Sequence, residues 1–198
     1  MEILNDDIIA VILSKSDTQT IGRCLIINKK WKQIIEIYSW MFNLNFSFTN
    51  IKDFSFKYFR DIKQINLSGC KLITNNGLEY LKGVHTINLN WCEQITDNGL
   101  KYLKGVHIIN LSNCNQITDV GLQYLKGVHT INLWNCNRIT ENGLEYLTGV
   151  HTINLNWCDQ ITDDGLEYLK GVDTIYLYGC RKITNKGLEY LKGAKILR

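Results

Sequence analysis

Residues 84–105 read VHTINLNWCEQITDNGLKYLKG, and this unit of 22 residues recurs with few changes through most of the chain. The period is visible in one column of cysteines, which stand 22 positions apart at Cys70, Cys92, Cys114, Cys136, Cys158 and Cys180. Full units begin at Ile62, Val84, Val106, Val128, Val150 and Val172, and a shortened last unit, AKILR, closes the sequence. A fixed period of this size predicts a solenoid, because each unit buries its apolar face only against its neighbours.

Each unit combines two apolar periodicities. Ile87 and Leu89 lie two apart, which places them on one face of a short strand. Thr96-Asp97 then supplies an N-cap oxygen for a short helix, and Gly105 stands where the helix end needs a residue that tolerates positive φ. We therefore predict an α/β horseshoe with a parallel sheet inside and short helices outside.

The spacing LxxLxLxxC followed by xxITDxGLxxL resembles the cysteine-containing class of leucine-rich repeat. This resemblance covers residues 62–198 and rests on six copies that agree in spacing. It implies a leucine-rich repeat solenoid that serves as a binding scaffold, although such horseshoes bind many unrelated partners.

The composition is that of a folded domain that dissolves in water. Of the 198 residues, 45% are hydrophobic and 21% are charged. The longest uninterrupted apolar run, residues 8–13, is far shorter than the ~20 residues that a membrane helix needs, so we expect no membrane partner. The net charge of +3 is spread along the chain, and we therefore expect no nucleic-acid partner.

Cysteine usage favours a reducing compartment. Six of the seven cysteines share one repeat position, where a small buried residue with a weak S–H donor can satisfy a neighbouring turn. A column of identical thiols has no pairing preference, and Cys24 lies outside it. We find no secretion signal, and we expect reduced thiols in the cytoplasm or nucleus, or in the host cytoplasm if the chain is viral.

Residues 1–39 follow a different pattern, in which apolar residues recur at helical spacing. Two stretches begin at the cap signals Asn5-Asp6-Asp7 and Asp17-Thr18, and a third contains Trp31, Ile34 and Ile35 before it fades near Tyr38. We predict three short amphipathic helices, which together bury too little surface to be stable alone.

The order of these apolar residues resembles an F-box. The resemblance implies that residues 1–39 dock on the Skp-type adaptor of a cullin-RING ubiquitin ligase, while the horseshoe captures a protein for ubiquitination. The adaptor-binding or core positions that it implies are Leu4, Ile8, Ile12, Leu13, Ile21 and Trp31. Two residues depart from the family pattern, since Asn5 stands where proline is usual and Ser16 where leucine is usual. The alternative is a freestanding interaction scaffold whose N-terminal helices only cap the solenoid.

Residues 40–61 look like a degenerate first repeat. Leu44 and Phe46 align with Ile65 and Leu67 after a slip of one residue. The segment also holds all six phenylalanines, which we expect to pack as core where the helices meet the first regular unit.

We find no catalytic constellation, and we predict neither an enzyme nor a cofactor. The sequence contains no GxSxG, no phosphate-binding glycine loop and no HExxH. Four histidines share one column, at His85, His107, His129 and His151. Stacked imidazoles would disfavour each other's protonation, but a linear row cannot surround a tetrahedral ion, so we predict no metal site.

Strand alternation gives the horseshoe a concave face of amides and aromatic rings. The residues that we expect to bind a target protein there are Asn88, Asn110, Asn132, Asn154, Trp134, Tyr176 and Tyr178, with Trp91 and Trp157 at the rim. Exposed aromatic residues that interrupt a repeat are costly unless they are used. For the asparagines, a column that only stabilises the sheet is an equal alternative.

Overall fold

The computed structural model describes residues 29–38, 42–59 and 61–198, in which eight short strands form one parallel sheet in sequence order. The strands are β1 (Asn43–Asn45), β2 (Gln64–Asn66), β3 (Thr86–Asn88), β4 (Ile108–Asn110), β5 (Thr130–Asn132), β6 (Thr152–Asn154), β7 (Thr174–Tyr176) and β8 (Lys195–Leu197). From β2 to β7 each residue pairs with the residue 22 positions further on, such as Ile87 with Ile109. The predicted parallel sheet is therefore confirmed, with one strand in each repeat, or coil.

Short helices form the outer side of the coils. The α-helical segments are α1 (Lys29–Tyr38), α2 (Asn75–Glu79), α3 (Asp97–Leu100), α4 (Asp119–Leu122), α5 (Glu141–Leu144) and α6 (Asn185–Leu188). Segments of 3-10 helix cover Asp53–Tyr58, Lys101–Leu103, Gln123–Leu125, Glu145–Leu147, Asp163–Leu169 and Glu189–Leu191. The outer turn ends as predicted at a glycine with positive φ, such as Gly105 at 85°. No helix in the described ranges has both the length and the apolar character needed to span a bilayer.

One continuous core runs between the sheet and the helices. In the coil that begins at Val84, the strand contributes Ile87, the residue after the strand is Leu89, and the helical side contributes Leu100 and Leu103, all of them buried. Burial of an aliphatic side chain of this size stabilises the fold by roughly 1.5–3 kcal/mol. Because each coil repeats these positions, the buried side chains of one coil pack against those of the next coil.

The buried cysteine thiols bond neighbouring coils together. Cys92 Sγ donates to the carbonyl oxygen of Leu67 at 3.1 Å, and Cys114 Sγ donates to that of Leu89 at 3.1 Å. Burial raises the pKa of the Cys114 thiol to about 12, so the thiol stays protonated and remains a donor at neutral pH. The predicted structural role of this column is confirmed for the described cysteines, which are free thiols.

Aspartates form a second set of bonds between coils. The Asp97 carboxylate accepts from Thr118 N at 2.8 Å and from Thr118 Oγ1 at 2.7 Å, and equivalent pairs join Asp53 to Thr74, Asp119 to Thr140 and Asp163 to Thr184. Thr118 Oγ1 itself caps α4 by accepting from Val120 N at 3.3 Å. In this coil the threonine supplies a side-chain cap and the aspartate joins its coil to the next one, whereas Thr96, for which the cap was predicted, is the N-cap residue of α3 but makes no side-chain cap bond.

This bridge explains the glycine of the ITDxGL segment. A Cβ atom on Gly121 would lie 2.4 Å from Asp97 Oδ1, so a larger residue would displace the carboxylate. Glu141 occupies the aspartate position of its coil, and it forms no such bridge within the described coils. In the next coil the helix is 3-10 throughout, and its N-cap Thr162 makes no side-chain cap bond.

The N-terminal junction uses the same core. Ile34 and Ile35 of α1 are buried in it, and β1 pairs with β2 so that Leu44 lies opposite Ile65. This register is the predicted slip of one residue. The buried phenylalanines of the junction are Phe42, Phe56 and Phe59, and the Phe46 ring packs edge-on against the last two.

Phe48 contradicts the expectation that the described phenylalanines are core. Its side chain is 77% exposed, because Phe48 follows β1 in a turn at φ 57° that carries the ring away from the core. The prediction was wrong at this residue because apolar composition does not report the direction of a turn.

We expect Asp119→Ala to lower the free energy of unfolding by about 1–3 kcal/mol, because Thr140 loses two hydrogen bonds to a charged acceptor. Urea denaturation followed by circular dichroism measures the change. Asp164→Ala is the control, since Asp164 is exposed. Equal losses in the two variants would contradict a bridging role for Asp119.

Candidate functional site

The concave side of the sheet is an uncharged trough. A cavity on this side has a volume of about 490 Å³ and is lined by Asn43, Asn45, Gln64, Ile65, Asn66, Thr86, Ile87, Asn88, Ile108, Ile109, Asn110, Thr130 and Asn132. Strands β1 to β7 carry no Asp, Glu, Lys, Arg or His. A ligand in this trough therefore meets amides, hydroxyl groups and short apolar surfaces.

The floor of the trough is an amide column, which consists of Asn66, Asn88, Asn110, Asn132 and Asn154. Each Oδ1 accepts from the backbone N–H two residues further on, as Asn88 does from Asn90 N at 3.0 Å and Asn132 does from Trp134 N at 3.0 Å. This bond fixes the turn after the strand, so the oxygens have a structural role within their own coil, which differs from the predicted alternative of an asparagine column that stabilises the sheet.

The nitrogens of the amide column have a different environment. None of the five Nδ2 atoms has a hydrogen-bond acceptor among the described residues, and all five side chains are partly exposed. Since neighbouring strands lie about 4.8 Å apart, the column presents a regular row of N–H donors to a ligand.

A second set of positions, here called the rim column, occupies the turn after each strand. In one such turn Cys92 N donates to Leu89 O at 3.0 Å, and Trp91 is the third residue. All members of the column have positive φ, namely Phe48, Gly69, Trp91, Asn113, Asn135, Trp157 and Gly179. A turn of this form favours Gly or Asn at its third position, because positive φ brings Cβ close to the backbone.

Three aromatic residues in the rim column adopt this unfavourable conformation while they are exposed. The φ angles of Phe48, Trp91 and Trp157 are 57°, 62° and 60°. Their side chains are 77%, 48% and 38% exposed. Neither core packing nor backbone preference accounts for bulky residues here, and strained residues of this kind concentrate at functional sites.

Two of these rings lie over glycines of the following coil. A Cβ atom on Gly69 would lie 2.4 Å from Phe48 Cδ1, and a Cβ atom on Gly179 would lie 2.8 Å from Trp157 Cδ2. Phe48 is the residue that sequence reasoning missed. The signal that could have revealed it is the one-residue slip, which places Phe48 in line with Gly69.

Three of the predicted aromatic residues, Trp134, Trp157 and Tyr178, are exposed on three successive coils and are here called the aromatic patch. The Trp157 and Tyr178 rings meet edge-on with centroids 5.6 Å apart, and Trp134 is 37% exposed. Tyr178 N donates to Asn156 Oδ1 at 2.7 Å, which holds the backbone of the patch. Tyr176 continues the amide column on β7, whereas Trp91 stands apart, on an earlier coil.

The four histidines stack in one column, here called the histidine column, at the start of strands β3 to β6. Successive ring centroids are 4.7, 4.5 and 4.2 Å apart. The His85 and His129 rings contact the hydroxyl groups of Thr86 and Thr130 at 3.2 Å, and His151 Nδ1 lies 2.8 Å from Asp173 Oδ2. Among the described residues, no group of three or more His, Cys, Asp or Glu is arranged to hold a metal ion.

The stacking affects protonation in the middle of the column. Partial desolvation, followed by repulsion from the neighbouring imidazoles, lowers the pKa of His107. A proton on His107 is therefore less favourable in the folded chain than in the unfolded chain.

The predicted adaptor-binding residues Leu4, Ile8, Ile12, Leu13 and Ile21 lie outside the described residues. Trp31 belongs to α1. Helix α1 is the part of the proposed docking segment that the structure describes. It ends at Tyr38, where the third predicted helix was expected to end.

Comparisons with known proteins concern the repeats. The family model described as "Leucine Rich repeat" matches residues 60–82, 84–104, 106–126 and 150–170. No curated protein gives a significant match to the sequence.

Solved structures that resemble this chain include two internalins of Listeria monocytogenes and a yeast complex. InlF is 20% identical with a TM-score of 0.64, and the alignment covers 83% of this chain and 49% of that one. InlC2 is 21% identical with a TM-score of 0.63, covering 85% and 74%. A chain of the yeast Rad7 and Elc1 complex is 15% identical with a TM-score of 0.57, covering 83% and 43%. The present chain spans less than half of that yeast chain and of InlF, and these identities show a shared fold alone.

We expect Trp91→Gly to leave the free energy of unfolding unchanged or to raise it by about 1 kcal/mol. Glycine removes a positive-φ penalty of roughly 1–2 kcal/mol, which offsets the lost ring contacts and the added chain entropy. Trp134→Gly is the matched control, since Trp134 is similarly exposed but does not have positive φ. It should lose stability in urea denaturation, and an equal loss at Trp91 would contradict the strain argument.

Stability should fall as the pH drops from 7.5 to 5.5. Because folding lowers the pKa of His107, the unfolded chain binds a proton more readily than the folded chain. The folded chain therefore keeps its full stability above the unfolded pKa of about 6.5 and loses stability as the pH falls below it. We expect His107→Gln to reduce the difference between the urea midpoints at the two pH values. The same difference in variant and wild type would exclude His107 as a source of the effect.

Proposed function

Because this chain is built from leucine-rich repeats, we propose that it is an adaptor that brings a target protein to a ubiquitin ligase. Its horseshoe binds the target, and residues 1–39 dock on a Skp-type adaptor of a cullin-RING ligase. The observation that carries the target-binding half is the set of exposed tryptophans, two of them in strained turns, around an uncharged trough. The docking half rests on the F-box resemblance of the N-terminal residues.

The aromatic residues have the properties of binding anchors. Tryptophan and tyrosine are enriched among the residues that dominate interface energies, and they contribute most when polar neighbours exclude water around them. The Trp157 and Tyr178 rings meet and Trp134 is exposed on the preceding coil, while the neighbouring amides of Asn154 and Asn156 supply adaptable hydrogen bonds. We assign target binding to this concave face.

The position of α1 suits a docking segment attached to a rigid scaffold. Ile34 and Ile35 anchor α1 in the core of the horseshoe, while Ile37 is 65% exposed. A ligase subunit bound by residues 1–39 would therefore be held near one end of the solenoid. The chain would act by proximity, raising the effective concentration of a target lysine near the ubiquitin carrier without catalytic groups of its own.

One observation favours a second candidate function, a freestanding interaction scaffold. The burial of Ile34 and Ile35 makes α1 a cover for the first coil, and terminal covers are a general requirement of solenoids. In this alternative the horseshoe binds the same kind of target, but residues 1–39 dock on no ligase subunit.

Co-purification with a eukaryotic Skp-type adaptor tests the docking half. We expect the full chain to form a 1:1 complex, detected by size-exclusion chromatography with light scattering. Leu4→Asp/Ile8→Asp should abolish the complex, because carboxylates would be buried at an apolar interface without partners. Trp157→Gly is the matched control and should retain the complex, since it alters the other end of the horseshoe.

Absence of a complex with the folded, monodisperse wild-type chain would reject adaptor docking and favour the freestanding scaffold. Retention of the complex by the folded double variant would also reject it, because the F-box resemblance would then not describe the interface. Circular dichroism of each variant checks that the fold is intact.

A further inference from the structure

The amide column presents more hydrogen-bond donors than acceptors to a ligand. Its Oδ1 atoms already accept backbone N–H groups, whereas its Nδ2 atoms have no acceptor among the described residues. A bound ligand must therefore supply a row of acceptors, because a buried amide N–H without a partner is unfavourable.

The absence of charge on the strands of the trough restricts those acceptors to neutral groups. No Lys, Arg or His occupies β1 to β7, so a row of carboxylates or phosphates would lose water without gaining a counterion. Ammonium and guanidinium groups would meet N–H donors and likewise no opposite charge. Amide carbonyl groups meet both requirements, since they accept hydrogen bonds and carry no net charge.

The length of the amide column fits a short extended peptide. Five asparagines span four strand spacings, which amount to roughly 19 Å at about 4.8 Å each. An extended chain rises about 3.3 Å per residue, so about six residues would cover the column. A polypeptide carries a carbonyl at each residue and can follow the concave face across the strands.

The two ends of the concave face differ. The lining residues of the trough belong to the N-terminal coils, from Asn43 to Asn132. The aromatic patch lies on the coils toward the C-terminus. Tyr176 and Tyr178 replace the asparagine and small residues of earlier coils at the C-terminal end of the trough. A ligand that follows the amide column would meet the contacting rings of Trp157 and Tyr178 at the C-terminal end, whereas Phe48 and Trp91 lie singly on separate N-terminal coils, and this difference gives the site a direction.

We infer that the horseshoe binds an uncharged, extended segment of a target polypeptide, which lies across the strands with its carbonyl groups on the amide column and an apolar side chain on the aromatic patch. This inference rests on the target-binding half of the proposed function and is independent of docking on a Skp-type adaptor. It assigns donor roles to the Nδ2 atoms and the anchor role to Trp134, Trp157 and Tyr178.

Other ligand classes fit the same surface less well. Sugar hydroxyl groups donate as well as accept, and each oxygen of the amide column already uses one of its two lone pairs for a backbone N–H. Nucleic acid requires cations along its phosphates, which the trough strands lack. The donor-rich, neutral floor therefore favours polypeptide carbonyl groups.

The test uses the full chain with a fluorescent label and an array of ten-residue peptides, each acetylated and amidated. Three matched sets contain no charge, two Glu or two Lys, and each peptide carries one Leu at its first or last position. A parallel array of neutral oligosaccharides serves as the rival probe. We expect binding to concentrate in the uncharged set with Leu at one particular end, and the matched charged peptides to bind at least tenfold more weakly.

Variants then assign the contacts by fluorescence polarisation with the tightest peptide. Asn88→Asp keeps an oxygen for Asn90 N but replaces the donor with a carboxylate, so we expect at least a tenfold loss of affinity with little change in the urea midpoint. Trp157→Gly should weaken binding by a similar factor and remove the preference for the end that carries Leu. Asn142→Asp, on the outer helix α5, is the matched control and should bind like wild type.

Four outcomes would overturn the inference. They are unchanged affinity in Asn88→Asp, preference for a charged set, binding to oligosaccharides in place of peptides, and absence of binding to every peptide set. Adaptor docking can fail while peptide binding succeeds, and peptide binding can fail while docking succeeds. The two proposals are therefore tested separately.

Discussion

Each coil of this protein is completed by the coil beside it, and the spacing between adjacent strands governs the rest of the structure. A single coil cannot bury its leucines and isoleucines, and its polar groups also need the neighbouring coil. The Cys114 thiol reaches the Leu89 carbonyl, and the Asp97 carboxylate reaches Thr118. These contacts hold only if every coil has nearly the same length and path, which explains why the core positions hardly vary along the chain.

This constraint leaves exposed positions free to vary, among them the rim column and the concave positions beside the amide column. Their side chains contribute little to the shared core, so substitutions there alter the surface without disturbing the register of the coils. The exposed tryptophans of the described residues all occur in these positions. Phe48, Trp91 and Trp157 even adopt a backbone conformation that favours glycine or asparagine. The fold tolerates this strain because the strands and thiols on either side determine the turn.

The proposed function depends on side chains whose two polar atoms have different roles. Each asparagine of the amide column uses its oxygen to close a turn and leaves its nitrogen for a ligand, so one residue serves both the scaffold and the surface. The histidine column borders the same sheet, where it contacts the trough hydroxyl groups of Thr86 and Thr130. Protonation of His107, whose pKa is lowered by partial desolvation and by the neighbouring imidazoles, would act on the stability of the coils.

The sequence by itself determined the repeat, the α/β horseshoe, the buried cysteine column and the placement of Trp91 and Trp157 at the rim. These features depend on local periodicity, which a single chain displays directly. Only the tertiary structure decided that Phe48 joins the rim column and that the aspartates bridge coils. It also decided that the asparagine oxygens accept backbone N–H groups while their nitrogens have no acceptor among the described residues. The reason is that each of these depends on a φ angle or on an atom one coil away, and spacing along the chain specifies neither turn direction nor hydrogen-bond partner.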